Sequence, residues 1–125
     1  MTKLEAVFVQ YSKAVFRFKD VLAQDKNEFI RDSAIQRFEF TFDLSWKLIK
    51  AYLEEESGII CNSPKECFRQ AYKQKLIEYD DFWIEMTDMR NQTAHTYHEQ
   101  TAEKIYKQLP KTLKMFKVLE EKLKK

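Results

Sequence analysis

The sequence predicts an all-α fold, an antiparallel up-and-down bundle of four or five helices forming one domain over residues 1–125. Three observations carry that prediction. The 125 residues hold one glycine, Gly58, and two prolines, Pro64 and Pro110, whereas tight β-hairpins draw heavily on glycine. Apolar side chains recur at alternating spacings of three and four, the period of one helix face. Helix-start signatures stand at Thr2 and Ser63.

The first helix begins at Thr2, because Thr2-Lys3-Leu4-Glu5 is a capping box, with the hydroxyl serving the N3 amide and the carboxylate reaching back. Leu4, Phe8, Tyr11, Val15, Phe18 and Leu22 form its seam, which reaches about Ala23 before the polar Gln24–Asn27 break. Asn27 can cap a longer second helix. Ile35, Phe38, Phe42, Ile49 and Leu53 line one face, with Phe40, Leu44, Leu48 and Tyr52 alongside. So wide an apolar surface suits a helix with two neighbours. It ends near Ser57, with Gly58 as the left-handed residue.

Ser63-Pro64-Lys65-Glu66 opens a short third helix, with serine at the cap, proline at N1 and glutamate at N3. It carries Cys67, Phe68, Ala71 and Tyr72 and ends near Lys75. The fourth starts around Asp80, with Phe82, Met86, Met89 and Thr93 on one side and Trp83, Arg90 and Tyr97 at seven-residue intervals beside them. The last runs from about Thr101 and buries Ile105, Leu109, Leu113, Phe116 and Leu123. Pro110 removes a backbone donor inside it, which predicts a kink or break.

Composition excludes several functions. With one glycine, neither a Walker loop nor a dinucleotide fingerprint can form, since both need backbone to approach phosphate closely. The net charge of +2 names no partner. Lys104, Lys107, Lys111 and Lys114 make a stripe on the last helix, read most simply as a solvated face, the alternative being a surface for nucleic acid or an acidic partner. No secretory pattern and no apolar run of about 18 residues is evident, so the chain reads as cytoplasmic, with no membrane contact and with Cys61 and Cys67 reduced. A metal site from Cys61, Cys67, His95 and His98 is conceivable, but its spacing fits no familiar ligand pattern; no metal and no cofactor are expected.

Both histidines fall in Met89-Arg90-Asn91-Gln92-Thr93-Ala94-His95-Thr96-Tyr97-His98. Arg90 and Tyr97, seven apart, share a helix face. His95 approaches Arg90 only if the helix ends or distorts near Ala94, or if a second copy supplies one of them; Asn91, Thr93 and Thr96 make an end plausible. A cation, an imidazole and a phenol suit a phosphodiester. Arginine holds phosphate bidentately, and histidine can take a proton from a ribose 2′-hydroxyl or give one to a leaving oxygen. The plainer alternative has Arg90 paired with Asp88 or an acid on another helix, His95 satisfied in the core and Tyr97 packing.

Arg90-Asn91-(x)3-His95-x-Tyr97 resembles the Arg-x4–6-His motif of the HEPN superfamily. The likeness is greatest to the branch with the extra tyrosine, encoded beside minimal nucleotidyltransferases. The stretch from Ile35 to Lys47 resembles the long-helix signature of the nucleotidyltransferase substrate-binding family, and Pro64 to Ala71 resembles that family's third-helix start. The resemblance implies a HEPN-type bundle, usually a homodimer with the motif at the cleft between subunits, paired with a minimal nucleotidyltransferase. Some members are described as substrate-binding subunits. Others are toxins, metal-independent ribonucleases that leave cyclic-phosphate ends and are silenced by adenylylation of the motif tyrosine. Carried over, Arg90 binds phosphate, His95 is acid or base, Asn91 orients the site and Tyr97 accepts the adenylyl group. His98 lies outside the motif, as a rim residue.

Two functions follow: a ribonuclease toxin, or a non-catalytic subunit that presents a substrate or nucleotide. The modest charge favours the second, since a protein gripping long RNA usually carries more excess cation. A helical adaptor without a site is the third reading. Ten Phe, six Tyr and two Trp serve either an aromatic-rich core or an oligomer interface.

Overall fold

Thr2 accepts a hydrogen bond from the Glu5 amide at 3.1 Å, and Glu5 accepts one from the Thr2 amide at 3.5 Å. This box opens α1, Lys3–Leu22. The computed structural model describes residues 1–124. Asn27 Oδ1 takes the Ile30 amide at 2.8 Å and starts α2, Glu28–Ser57. Gly58, at φ 65°, closes it, and a Cβ there would touch nothing within 4 Å. The requirement for glycine is therefore conformational and not one of space. Ser63 caps α3, Pro64–Lys73, from 3.3 Å. Then come α4, Phe82–Gln92, a 3-10 turn over Thr93–His95, and α5, Glu99–Leu123. No strand occurs among the described residues, and the all-α prediction holds.

Three boundaries differ from expectation. α3 stops at Lys73, because Lys75 adopts φ 60° and the Leu76 amide reaches back to the Ala71 carbonyl at 2.9 Å, the closing bond of a Schellman turn. α4 begins at Phe82, with Asp80 Oδ1 taking its amide at 2.9 Å. α5 begins at Glu99, two residues before Thr101. Pro110 does not break α5, which is helical on both sides of it. The proline lies on the exposed face, where water can serve the Tyr106 carbonyl that its ring leaves without a donor.

α2 packs against all four other helices, more neighbours than the two expected. Phe18 beside Phe38, and Ala14 beside Thr41, set α1 and α2 antiparallel. The core is a connected set of rings. Phe116 lies within 6.2 Å of Phe18, Phe38 and Trp83, and Trp83 stacks on Phe68 at 4.8 Å. Tyr11 donates its hydroxyl to the Phe116 carbonyl at 2.6 Å; burial, then the Glu120 charge, pushes its pKa well above the usual phenol value. Leu4, Tyr11, Val15 and Phe18 are the buried part of the α1 seam, while Phe8 and Leu22 are half-buried. Aromatic residues also remain outside, including Phe16, Phe29 and Phe40, so the core uses only part of the surplus.

The cysteines correct the reading of reduced thiols. Cys61 and Cys67 form a disulfide, their Cα atoms 5.2 Å apart, and both are buried. The connection after Gly58 folds Cys61 back on the first turn of α3, where Cys67 faces it. Bonded to each other, the two sulfurs are withdrawn from the conceivable site with His95 and His98. No helix among the described residues is long and apolar enough to cross a membrane.

Candidate functional site

α4 ends where threonine hydroxyls compete for its carbonyls. Thr93 Oγ1 donates to the Arg90 carbonyl at 2.7 Å, and Thr96 Oγ1 to the Thr93 carbonyl at 3.1 Å. Such local bonds offer the chain an alternative to continuing the helix. The 3-10 turn follows, and the His98 amide bonds to the His95 carbonyl at 3.1 Å before α5 begins. Arg90 is thus the last basic residue of α4, while His95 and Tyr97 lie beyond its end. The shared helix face expected for Arg90 and Tyr97 does not form, because the helix stops at Gln92.

Arg90 is held from α2. Its Nε donates to Asp43 Oδ1 and its Nη2 to Asp43 Oδ2, each at 3.1 Å, and its Nη1 donates to Thr93 Oγ1 at 3.1 Å. Glu39 Oε2 lies 3.6 Å from Nη1. The side chain stays 30% exposed, so with three of its five N–H groups committed it still presents an edge to solvent. The hydrogen bond from Arg90 to Asp43 raises the Arg90 pKa against the opposing effect of burial, and the Asp43 and Glu39 charges add to it. An acid on another helix is therefore the partner of Arg90. Asp88, the other acid considered, pairs with Lys65 at 2.8 Å.

His95 and Tyr97 form a second, exposed group. His95 Nδ1 is 3.2 Å from the Tyr97 hydroxyl, and their rings meet edge to face at 5.9 Å. The Tyr97 ring lies 4.5 Å from that of His98 and is 73% exposed. His98, itself exposed, thus packs its ring against Tyr97 at the rim of this group. Asn91 is exposed at the end of α4. The structure brings His95 to Tyr97 and Arg90 to Asp43, and no hydrogen bond among the described residues joins Arg90 to His95.

Sequence reasoning missed Asp43, Glu39 and Arg31. The signal for the first two was present, as acids four apart inside the aromatic run Phe38–Phe42 and Leu44, a pair that faces one neighbour. Arg31 is 4% exposed and binds Glu99 through Nη1 at 2.6 Å and Nη2 at 3.2 Å. It also reaches Glu103 at 3.2 Å and Asp32 at 3.0 Å. The loop carrying His95 and Tyr97 is consequently tied to α2 at both ends, by Asp43 before it and by Arg31 after it.

Comparison with known proteins bears on the family and the fold. A family model described as nucleotidyltransferase substrate binding protein like matches residues 6–125. A Haemophilus influenzae protein named probable ribonuclease HepT is 31% identical over 115 residues, 85% of this chain and 79% of that protein. A crystal structure from Thermus thermophilus superposes with a TM-score of 0.87 at 34% identity, covering 92% of this chain and 99% of that one. A second solved structure, from Haemophilus influenzae, is described as revealing the fold of a substrate binding domain of a nucleotidyltransferase. It matches with a TM-score of 0.73 at 30% identity, over 98% of this chain and 97% of that one.

Proposed function

The chain belongs to the nucleotidyltransferase substrate-binding family of the HEPN superfamily, and from that premise we propose that it is the HEPN partner of a minimal nucleotidyltransferase in a toxin–antitoxin pair. In this reading it is a homodimeric, metal-independent ribonuclease of the cytoplasm, silenced by adenylylation of Tyr97. The observation that carries the reading is the 3.2 Å contact between His95 Nδ1 and the Tyr97 hydroxyl. It puts the proposed proton-transfer group and the proposed modification site in one hydrogen bond. The relative named probable ribonuclease HepT supports the activity, and exposed Phe16 and Phe29 supply apolar surface for self-association.

Arg90, oriented by Asp43, opposes the charge of the scissile phosphate, and Asn91 orients the phosphate beside it. His95 takes the proton from a ribose 2′-hydroxyl. The 2′-oxygen bonds to phosphorus, the bond from phosphorus to the 5′-oxygen breaks, and that oxygen leaves with a proton from water or from His95 of a second copy. The products are a 2′,3′-cyclic phosphate and a 5′-hydroxyl. For silencing, the Tyr97 oxygen attacks the α-phosphorus of ATP held by the partner enzyme, with loss of its proton and release of pyrophosphate. The modified tyrosine no longer has an O–H to share with His95, and the adenylyl group occupies the space before the imidazole.

The test is RNA cleavage in chelator with analysis of the 3′ ends. Cyclic-phosphate ends that disappear in both Arg90→Ala and His95→Ala support the proposal, and cleavage that survives both substitutions overturns it. One observation favours a second reading, a non-catalytic subunit that binds a substrate or nucleotide. Asp43 and Glu39 together outweigh the single charge of Arg90, which weakens its hold on a polyanion. Folded, unmodified dimer that cuts no RNA but binds a nucleotide in an Arg90-dependent way selects that reading.

A further inference from the structure

A groove of about 310 Å³ runs between α1 and α2, lined by Gln10, Lys13, Ala14, Arg17, Arg37, Phe40 and Leu44. It holds three cations and no acid, in a chain whose net charge is only +2. Among the described residues none of the three pairs with a carboxylate, so their charge is free for a ligand. Its floor is pinned by Thr41, whose hydroxyl bonds to the Arg37 carbonyl at 2.7 Å and approaches the Ala14 carbonyl at 3.4 Å. Phe40 stands in the groove 45% exposed, with the Arg37 guanidinium 6.0 Å from its ring centre.

We propose that this groove binds a single-stranded segment of RNA, with a base stacked on Phe40 and backbone phosphates held by Lys13, Arg17 and Arg37. Cations that follow one strand, interleaved with an exposed ring, are the pattern that holds single-stranded nucleic acid without reading its sequence. Lys13 and Arg17 stand one turn apart, about 6 Å along the axis, so they can meet successive phosphates. The position of the groove links it to the motif: Glu39 and Asp43 face Arg90, while their immediate neighbours Phe40 and Leu44 line the groove. A strand lying across α2 can therefore reach both places. The inference rests on the ribonuclease reading for the choice of RNA, and it explains how a nearly neutral protein could grip a polyanion.

The experiment measures binding of a fluorescent single-stranded RNA to His95→Ala protein, which cannot cut it, across a salt series. Lys13→Gln/Arg37→Gln in that background is expected to weaken binding about tenfold and to flatten the log–log salt slope by about 1.4, two phosphates at roughly 0.7 each. Phe40→Leu keeps an apolar contact and loses the ring, so a further loss of about fivefold is expected from stacking. Circular dichroism and sedimentation of each variant confirm fold and association state. Affinity and slope equal to the parent overturn the inference. So does unchanged RNA binding accompanied by weaker self-association or weaker binding of the nucleotidyltransferase, which makes the groove a protein interface. Parent protein that binds no RNA overturns it as well. Groove-dependent binding by wild-type protein that cuts nothing upholds the groove and overturns the ribonuclease reading. Cleavage and binding indifferent to the groove substitutions do the reverse.

Discussion

Asp43 grips the Arg90 guanidinium with both carboxylate oxygens, each 3.1 Å from its donor. Two parallel N–H···O bonds fix the plane of the guanidinium as well as its position. The face that Arg90 turns to solvent is thus set from α2, together with Thr93 at the end of its own helix, which holds Nη1. Asp43→Asn retains one acceptor and loses the charge and the fork. In the proposed ribonuclease it is expected to lower kcat about tenfold, roughly 1.4 kcal/mol, with a smaller change in KM. Equal kcat for wild type and variant would show that Arg90 needs no such support.

Arg31 makes stability depend on pH. Glu99 is held below its usual pKa by its hydrogen bond from Arg31, and Glu103 by hydrogen bonds from Lys26 first and then Arg31. Carboxylates depressed in the folded state stabilise it above their unfolded pKa, near 4.5, and lose that contribution as pH falls through the folded value. The Tm should therefore fall between about pH 5 and pH 3, and Arg31→Met should have a lower Tm at neutral pH and a shallower acid-side decline. Parallel pH–Tm curves for the two proteins would refute this role.

Lys75 sits at φ 60°, where an L side chain is strained. Lys75→Gly removes that strain at an exposed position and is expected to raise stability by about 0.5–1 kcal/mol in urea denaturation, net of the extra freedom glycine gives the unfolded chain. Gly58→Ala, at φ 65°, should change it in the opposite direction by about 1 kcal/mol.

The disulfide between Cys61 and Cys67 closes a short loop, separation 6. Loop-closure entropy for that length gives about 2 kcal/mol of stability. Unfolding midpoints with and without dithiothreitol should differ accordingly, and Cys61→Ser/Cys67→Ser should be indifferent to the reductant. Uptake of iodoacetamide by both cysteines in unreduced, denatured protein is the outcome that removes the bond.

Much of the helical layout was legible because its causes are local. Capping hydroxyls at Thr2 and Ser63, the amide at Asn27, the left-handed glycine at 58 and the three–four spacing from Leu4 to Phe18 act within a few residues of themselves. The motif was legible too, as residue types in a row. The shared face of Arg90 and Tyr97 was not, since it depends on whether two threonine hydroxyls win carbonyls from the helix. Nor was the disulfide, which forms because the chain folds back after Gly58.

By itself the sequence determined that this chain is a helical bundle of the HEPN family and where its first three helices start, and it singled out Arg90, His95 and Tyr97 as residue types that suit a phosphodiester. Tertiary structure alone decided that Arg90 is clasped by Asp43, that Arg31 anchors the start of α5, and that Lys13, Arg17 and Arg37 converge beside Phe40. The physical reason is range. Caps and periodicity act over one or two turns, but an ion pair between residues 43 and 90, or a groove between two helices, exists only after packing brings distant segments together.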